Sequence, residues 1–186
     1  MYHSIIYDLV SRIQPYDSLE KSHIADTLEW IKTGVELCRV QSPGTPPKHL
    51  VSYFVLFDLE KEKILLVDHK KAKLWLPSGG HVEVQEHPLN AAHRELKEEL
   101  DVTLPLLHPD PLFLTVTDTI GATAGHTDVS LWYVYEADST ENYNYDEEEF
   151  HRIQWFSLAD LPLDRTDPHL ERFCQKFLTS MKCCFH

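Results

Sequence analysis

A chain of 186 residues, 42% apolar and 25% charged, is large enough to bury a real core and has the composition of an ordinary globular domain. Its formal net charge of -13 argues against a protein built to grip a nucleic-acid polymer, because such binding needs clustered lysine and arginine. A small polyphosphate ligand stays open, since a bound divalent cation supplies positive charge locally.

In chain order, the first element is helical: Ile5, Ile6, Leu9, Val10 and Ile13 recur at helical spacing between Ser4 and Ile13. Asp17 followed by Glu20 has the form of a capping box opening SLEKSHIADTLEWIKTG, which Gly34 closes as a C-cap. QSPGTPPKH (41–49) is rich in helix breakers and reads as a connector. Residues 1–45 are therefore expected to form a helical extension with its linker, and residues 46–186 the main domain. The extension is equally well read as a cover for one face of that domain.

From residue 50 the texture turns to strand. LVSYFVLFDLE and KILLVDH are β-rich runs joined by the polar turn EKEK. KLWLPSGGHVEV holds two short strands interrupted at Pro77, Ser78, Gly79 and Gly80. HPLNAAHRELKEEL switches to helical period, with Pro88 suited to the first turn. LFLTVTDTI, DVSLWYVYEAD and RIQWFSL are strand-like, and the acidic stretch 139–150 between the last two reads as a loop. A final helix is expected near Asp167, as N-cap, and Pro168. Strands and helices mix without regular alternation, which favours an α/β sandwich with mixed sheets over a doubly wound parallel sheet.

The four cysteines, Cys38, Cys174, Cys183 and Cys184, show no paired spacing, and the N-terminus lacks the pattern of a signal peptide. A cytoplasmic protein with reduced thiols is expected. The ending CCFH places Cys183 fourth from the end, as in a prenylation signal, but Phe185 and His186 fit that signal poorly. No stretch approaches the roughly 20 apolar residues of a membrane span.

Chemistry concentrates in GHVEVQEHPLNAAHRELKEELDV. At 100° per residue, Glu95, Glu98 and Glu99 fall within an arc of about 100°, with the small Ala91 on the same arc. Leu89, Ala92, Leu96 and Leu100 form the adjacent apolar stripe, so packing that stripe on a sheet points three carboxylates along the core's edge. Like charges that close repel unless a cation or protons sit among them, and magnesium prefers such oxygen ligands. Taken alone, E-x-x-E-E is more often a solvated helix face, and Arg94 with Glu98 an i,i+4 pair worth roughly a few tenths of a kcal/mol.

The whole pattern resembles the Nudix box, G-x5-E-x7-R-E-U-x-E-E-x-G-U with U a bulky aliphatic residue. Gly80, Glu86, Arg94, Glu95, Leu96, Glu98, Glu99 and Val102 match in register, and Asp101 stands where the family has glycine. The general resemblance covers about residues 50–180, with LWLPSGG similar to the family's entry into the box. It implies a Nudix-type (MutT-like) α/β/α sandwich and a hydrolase that splits a diphosphate linkage in a nucleotide-like substrate. It also implies magnesium, with manganese as substitute, held by Glu95, Glu98, Glu99 and the Gly79 carbonyl. Arg94 would orient the carboxylates and Glu86 act outside them. The general base would be Glu95 or a residue of the later loop, Glu147, Glu148 or Glu149. The family glycine ends the helix, and Asp is among the residues that tolerate the left-handed conformation there, at a small stability cost.

For substrate contacts the candidates are Trp75, Phe113, Trp132 and Tyr133 as stacking surfaces, although an aromatic in a strand is more often core. His126 and Asp128 begin a strand whose end could face the site. Lys70, Lys71 and Lys73 are candidates to meet phosphate, or a solvated turn. Despite 12 histidines, no C-x-x-C or histidine pair suggests a zinc site. Two other readings are a nucleotide-sensing regulator without turnover and an isomerase of a diphosphate ester. Retention of every box carboxylate speaks against the first, and the absence of a cysteine–glutamate pairing in strand context against the second. The N-terminal helices offer a surface for a homodimer.

Overall fold

The computed structural model describes residues 1–40, 46–119 and 125–184, with the side chains of 182–184 left aside. The first half of the predicted connector, Ile120 at the end of one predicted strand, and the Phe185–His186 end of the CCFH motif lie outside the described residues. The elements are α1 (Tyr2–Ser11), α2 (Ser18–Lys32), β1 (Lys48–Asp58), β2 (Lys63–His69), β3 (Leu74–Leu76), β4 (Ser78–His81), α3 (Pro88–Leu100), β5 (Phe113–Asp118), β6 (Thr127–Glu136), β7 (Phe150–Ser157) and α4 (Leu170–Cys184). Each predicted element appears. The last helix starts two residues later than expected, but Asp167 still caps it, its carboxylate accepting from His169 N at 2.7 Å.

The seven strands form one mixed sheet, ordered β3-β2-β1-β6-β5, with β4 also paired to β1 and β7 to β2. β1 and β6 run parallel, His49 beside Asp128 through Phe57 beside Glu136, and the other pairs are antiparallel.

Alternation along β1 and β6 divides the interior into two cores, because successive side chains leave opposite faces of a strand. Leu50, Phe54 and Leu56 with Leu131, Tyr133 and Tyr135 face α3 and the N-terminal helices, joining Leu96, Leu100, Ile6 and Leu9 in one buried cluster. Val55 and Phe57 with Trp132 and Val134 face α4, packing on Phe173 and Phe177. Helices thus cover both faces, as an α/β/α sandwich requires. α4 covers Val55, Phe57, Trp132 and Val134, and the earlier residues of the same parity on that face, Val51, Tyr53, Asp128 and Ser130, line a cleft.

The N-terminal helices also protect an edge. β5 is an outer strand, and its Leu114 N–H donates to the buried Glu20 carboxylate of α2 at 3.2 Å, while Val116 N–H reaches His23 Nδ1 at 3.4 Å. Side chains of α2 thereby satisfy donors that a bare edge would offer to another chain. Glu20 also accepts from Tyr16 N at 2.6 Å and pairs with the buried Lys176 of α4 at 2.7 Å. Asp17 binds Arg172 of α4 through both carboxylate oxygens, at 2.6 and 2.8 Å. So the residue read as half of a capping box is also a three-way junction of α2, β5 and α4.

Glu20→Ala leaves a buried ammonium and a backbone donor without partners, and we expect it to cost about 3–5 kcal/mol. Glu20→Leu combined with Lys176→Met should recover most of that loss. Urea denaturation reads both; an unshifted midpoint for Glu20→Ala would remove the junction's claimed importance.

Candidate active site

α3 is set in place from both ends. Pro88 occupies its first turn, and the His87 ring accepts from Leu89 N at 3.2 Å as N-cap. Ser52 Oγ of β1 donates to the Pro88 carbonyl at 2.8 Å, fastening the helix start to the sheet. At the other end Asp101 adopts the left-handed conformation, φ 51° and ψ 34°, so the aspartate performs the turn for which the resembled family uses glycine. Ala91, Ala92, Leu96 and Leu100 are buried, which turns Arg94, Glu95 and Glu98 outward and wedges Glu99 at the margin.

Arg94 organises the acidic groups. Its Nε and Nη2 bind the two oxygens of Glu86, each at 3.0 Å, and Nη1 binds Glu95 at 2.6 Å and Glu98 at 3.3 Å. Nη2 also donates to the carbonyl of His81 at 3.1 Å. With the carboxylates of Glu86 and Glu95 as close partners, the guanidinium is held firmly protonated. Glu86 is bound twice by Arg94 and accepts from Glu83 N at 2.9 Å, so it braces the loop before α3.

Three carboxylates on α3 then share one compensating cation, which is not enough. Burial raises the Glu95 pKa, opposed by Arg94 and assisted by the charge of Glu98. Glu99, 8% exposed, is pushed up to about 9 by burial, against a hydrogen bond from Ser78 Oγ and with Glu95 and Glu149 adding repulsion. A cluster so short of positive charge, made of oxygen donors and open to a cleft, fits a hard divalent cation.

Two glycines of β4 let the helix come this close. A Cβ at Gly80 would stand 2.1 Å from Glu95 Oε1, and one at Gly79, where φ is +152°, would stand 2.1 Å from the Ser52 carbonyl. Glycine is needed at both positions, at the first for the carboxylate and at the second for the strand.

The cleft measures about 900 Å³, the scale of a nucleotide-sized ligand. It is lined on one side by Gly79, Gly80, Glu95 and Glu99 and on another by His81, His126 and Asp128, with Arg39 and Lys71 as further cations. The loop expected after β6 is there, and Asp146 N donates to the Glu99 carbonyl at 2.9 Å, docking it on the end of α3. It brings Glu149 into the cleft lining, whereas Glu147 and Glu148 are exposed and do not line it. Lys70 holds that loop through the carbonyls of Glu147 and Glu149, leaving Lys71 as the lysine of its cluster that faces the cleft.

The aromatic candidates are placed differently. Trp132 is fully buried, stacked on Phe173 with its indole N–H on Thr115 at 3.1 Å, and Phe113 is buried beside it. Trp75 is buried in the same core under α4, packed against Phe156 with Arg152 over its ring. Tyr133 belongs to the opposite core. None of the four lines the cleft: Trp75, Phe113 and Trp132 are buried in the core under α4, and Tyr133 faces α3 and the N-terminal helices. The aromatic groups that do line it are Tyr53 and Phe150. Tyr53 shares parity with Val51, and that parity, with the end of α4, is the signal that identifies it.

A second group was hidden from local spacing. His49, His81 and Asp128 come from three strands and His126 immediately precedes β6, and one ligating atom of each lies within 4.8 Å of all the others. The expectation of no histidine-rich metal arrangement rested on sequence-local spacing and does not extend to this cross-strand group. Burial and the nearby Arg39 push the His81 imidazole down to about 4, so it is neutral.

Comparison with known proteins agrees with this layout. The model of the NUDIX domain matches residues 47–177. A NUDIX-family hydrolase from Clostridium perfringens superposes with a TM-score of 0.57 at 24% identity, over 72% of this chain and 97% of that one. A MutT NUDIX hydrolase from Burkholderia pseudomallei gives 0.53 at 24%, over 69% and 97%. A binary complex of a C. elegans Ap4A hydrolase gives 0.58 at 20%, over 72% and 97%. A search among curated protein sequences finds no match. At these identities the superpositions speak for the fold, while the domain model spans most of the chain: the protein belongs to the Nudix (MutT-like) family of pyrophosphohydrolases, enzymes acting on phosphorus-containing anhydrides.

Proposed function

We propose that the protein is a magnesium-dependent hydrolase of the diphosphate linkage in a nucleoside diphosphate derivative, such as a nucleoside polyphosphate or nucleotide sugar. The observation that carries this reading is the packing of Glu95 and Glu99 against the Gly79–Gly80 strand at the wall of the cleft, with Arg94 as their organiser. Glu95, Glu98, Glu99 and the Gly79 carbonyl are the groups that would hold magnesium, or manganese in its place. When bound, the cation supplies charge neutralisation on the diphosphate oxygens and makes water more acidic.

The chain's own residues do the remaining work. Arg94 keeps Glu95 and Glu98 turned toward one another, so that the charge developing on the diphosphate meets a preorganised site. Lys71 and Arg39 are placed to neutralise terminal phosphate oxygens, and Tyr53 and Phe150 offer apolar surface for a base or sugar. Of the two candidate bases, Glu95 is engaged by Arg94 at 2.6 Å, whereas no described residue hydrogen-bonds the Glu149 carboxylate in the cleft. We therefore assign Glu149 as the group that takes the proton from the attacking water. The C. elegans Ap4A hydrolase of similar fold supports dinucleotide polyphosphates as one substrate class to try first. We place the protein in the cytoplasm, a reading supported by the free, buried Cys38 and Cys174. Among the described residues no helix is long and apolar enough to cross a membrane.

A panel of nucleoside diphosphate derivatives assayed for phosphate or pyrophosphate release, with magnesium and with manganese, tests the reaction. Glu98→Gln or Glu99→Gln should lower turnover roughly a hundredfold or more without unfolding the protein. Near-normal turnover in either variant with magnesium present would sink the assignment. Glu149→Gln should lower kcat by about a hundredfold or more with KM little changed. A variant that keeps near-normal kcat would return the base to Glu95. Gly80→Ala should push Glu95 aside and cost activity far more than stability, read by comparing turnover with the denaturation midpoint.

A further inference from the structure

Parallel pairing sets His49 beside Asp128, and antiparallel pairing sets His81 beside Val51, two residues along β1 from His49. His126 lies two residues before Asp128, so all four side chains leave the same face of the sheet. The rings are in contact: His49 stacks on His126 and packs against His81, each at 4.8 Å between centroids. His49 is fully buried.

Three polar atoms of this group, His49 Nε2, His81 Nε2 and Asp128 Oδ1, are buried without a hydrogen-bond partner. Leaving such atoms unsatisfied costs about 1–3 kcal/mol each, so a cluster of three calls for an explanation. The distal ring nitrogens supply one. His49 Nδ1 lies 2.8 Å from the Pro46 carbonyl, which can only accept, so Nδ1 carries a proton and Nε2 is the atom turned toward Asp128. His126 Nδ1 lies 3.3 Å from Thr119 Oγ1. The Nε2 atoms of both rings face one oxygen, Asp128 Oδ1, at 3.3 and 3.4 Å. Nitrogens and a carboxylate oxygen gathered this closely are held together by a proton or by a metal cation among them.

We propose that His49, His81, His126 and Asp128 form a binding site for a divalent transition metal of the zinc class, distinct from the carboxylates of α3. Three imidazole nitrogens and one carboxylate oxygen suit zinc, cobalt or nickel, whereas magnesium selects oxygen. In a tetrahedral site with bonds of 2.0–2.1 Å, neighbouring ligand atoms stand about 3.3–3.4 Å apart. The two Nε2–Oδ1 separations already have that value, and the ligand atoms of all four residues lie within 4.8 Å of one another. A ring N–H tied to a backbone carbonyl, as at His49, is a usual way of orienting a histidine ligand. The site sits on the wall of the same cleft as Glu95 and Glu99, so a cation there would face a bound polyphosphate from the side opposite the helix. This proposal does not depend on the reading of α3, and its test separates the two.

The experiment titrates the chelator-stripped full chain with Co2+ in excess Mg2+ and follows the visible bands of tetrahedral cobalt, with Zn2+ competition as a second readout. One cobalt per chain is expected, displaced by zinc but not by magnesium. Glu98→Gln should bind unchanged, while His126→Ala and Asp128→Asn should bind about 10–100-fold more weakly. His126 and Asp128 are chosen because the fully buried His49 risks the fold. The proposal is overturned if cobalt gives no tetrahedral spectrum, if magnesium displaces it, or if His126→Ala and Asp128→Asn bind like the parent. If Glu98→Gln alone abolishes binding, the metal belongs to α3; that result overturns this site and leaves the hydrolase reading standing.

Discussion

One guanidinium holds the site together. Arg94 touches Glu86, Glu95, Glu98 and the carbonyl of His81, spanning the loop before α3, the helix itself and the end of β4. Without it, three carboxylates within an arc of about 100° would repel, and the cheapest relief would be for the helix end to rotate them into solvent. A lysine would not replace it, because five donors in a rigid plane are being used in four directions. The same side chain fixes the backbone of His81, so the geometry of the carboxylates and that of the histidines are coupled through one residue.

The acidic excess of the chain looks different once its charges are located. Part of it is spent structurally: Asp17 on Arg172, Glu20 on Lys176 and Glu86 on Arg94 are each paired close to the core. Another part is left uncompensated around one cleft, where acidic groups that include Glu95, Glu99, Glu149 and Asp128 meet, among the described residues, the cations Arg39, Lys71 and Arg94. An anionic substrate cannot enter such a cleft on the strength of the side chains alone. A bound divalent cation, as proposed, supplies the missing positive charge, so a -13 chain is consistent with a phosphate-processing enzyme.

What was legible in the residues was whatever the chain holds locally. The helix from Pro88 to Leu100, its cap, its apolar stripe and its row of carboxylates follow from a period of 3.6, and the left-handed turn at Asp101 follows from the mismatch with glycine. The strands and even the capping role of Asp167 follow from alternation and turn chemistry. What escaped depended on register and coverage. Trp75 and Trp132 stayed open between stacking surface and core because strand periodicity cannot say how far α4 extends over the sheet, and both belong to the core under it. Glu20 read as a cap because its partners in β5 and α4 are far away in sequence. The histidines were individually visible, but only the parallel register of β1 with β6 makes His49 a neighbour of Asp128.

That register also explains why one sheet serves two kinds of chemistry. The face under α3 carries the helix whose carboxylates reach the cleft past Gly79 and Gly80, where the absent side chains leave a gap beside β1. The opposite face carries His49, His81 and Asp128 directly on its strands, with His126 just before β6, in the stretch that α4 leaves uncovered. Oxygen donors thus arrive from a helix, which can shift slightly as a hard cation and its waters demand. Nitrogen donors arrive from hydrogen-bonded strands, which hold a fixed polygon better suited to a metal with strict ligand preferences. A substrate lying along the cleft would meet both walls at once.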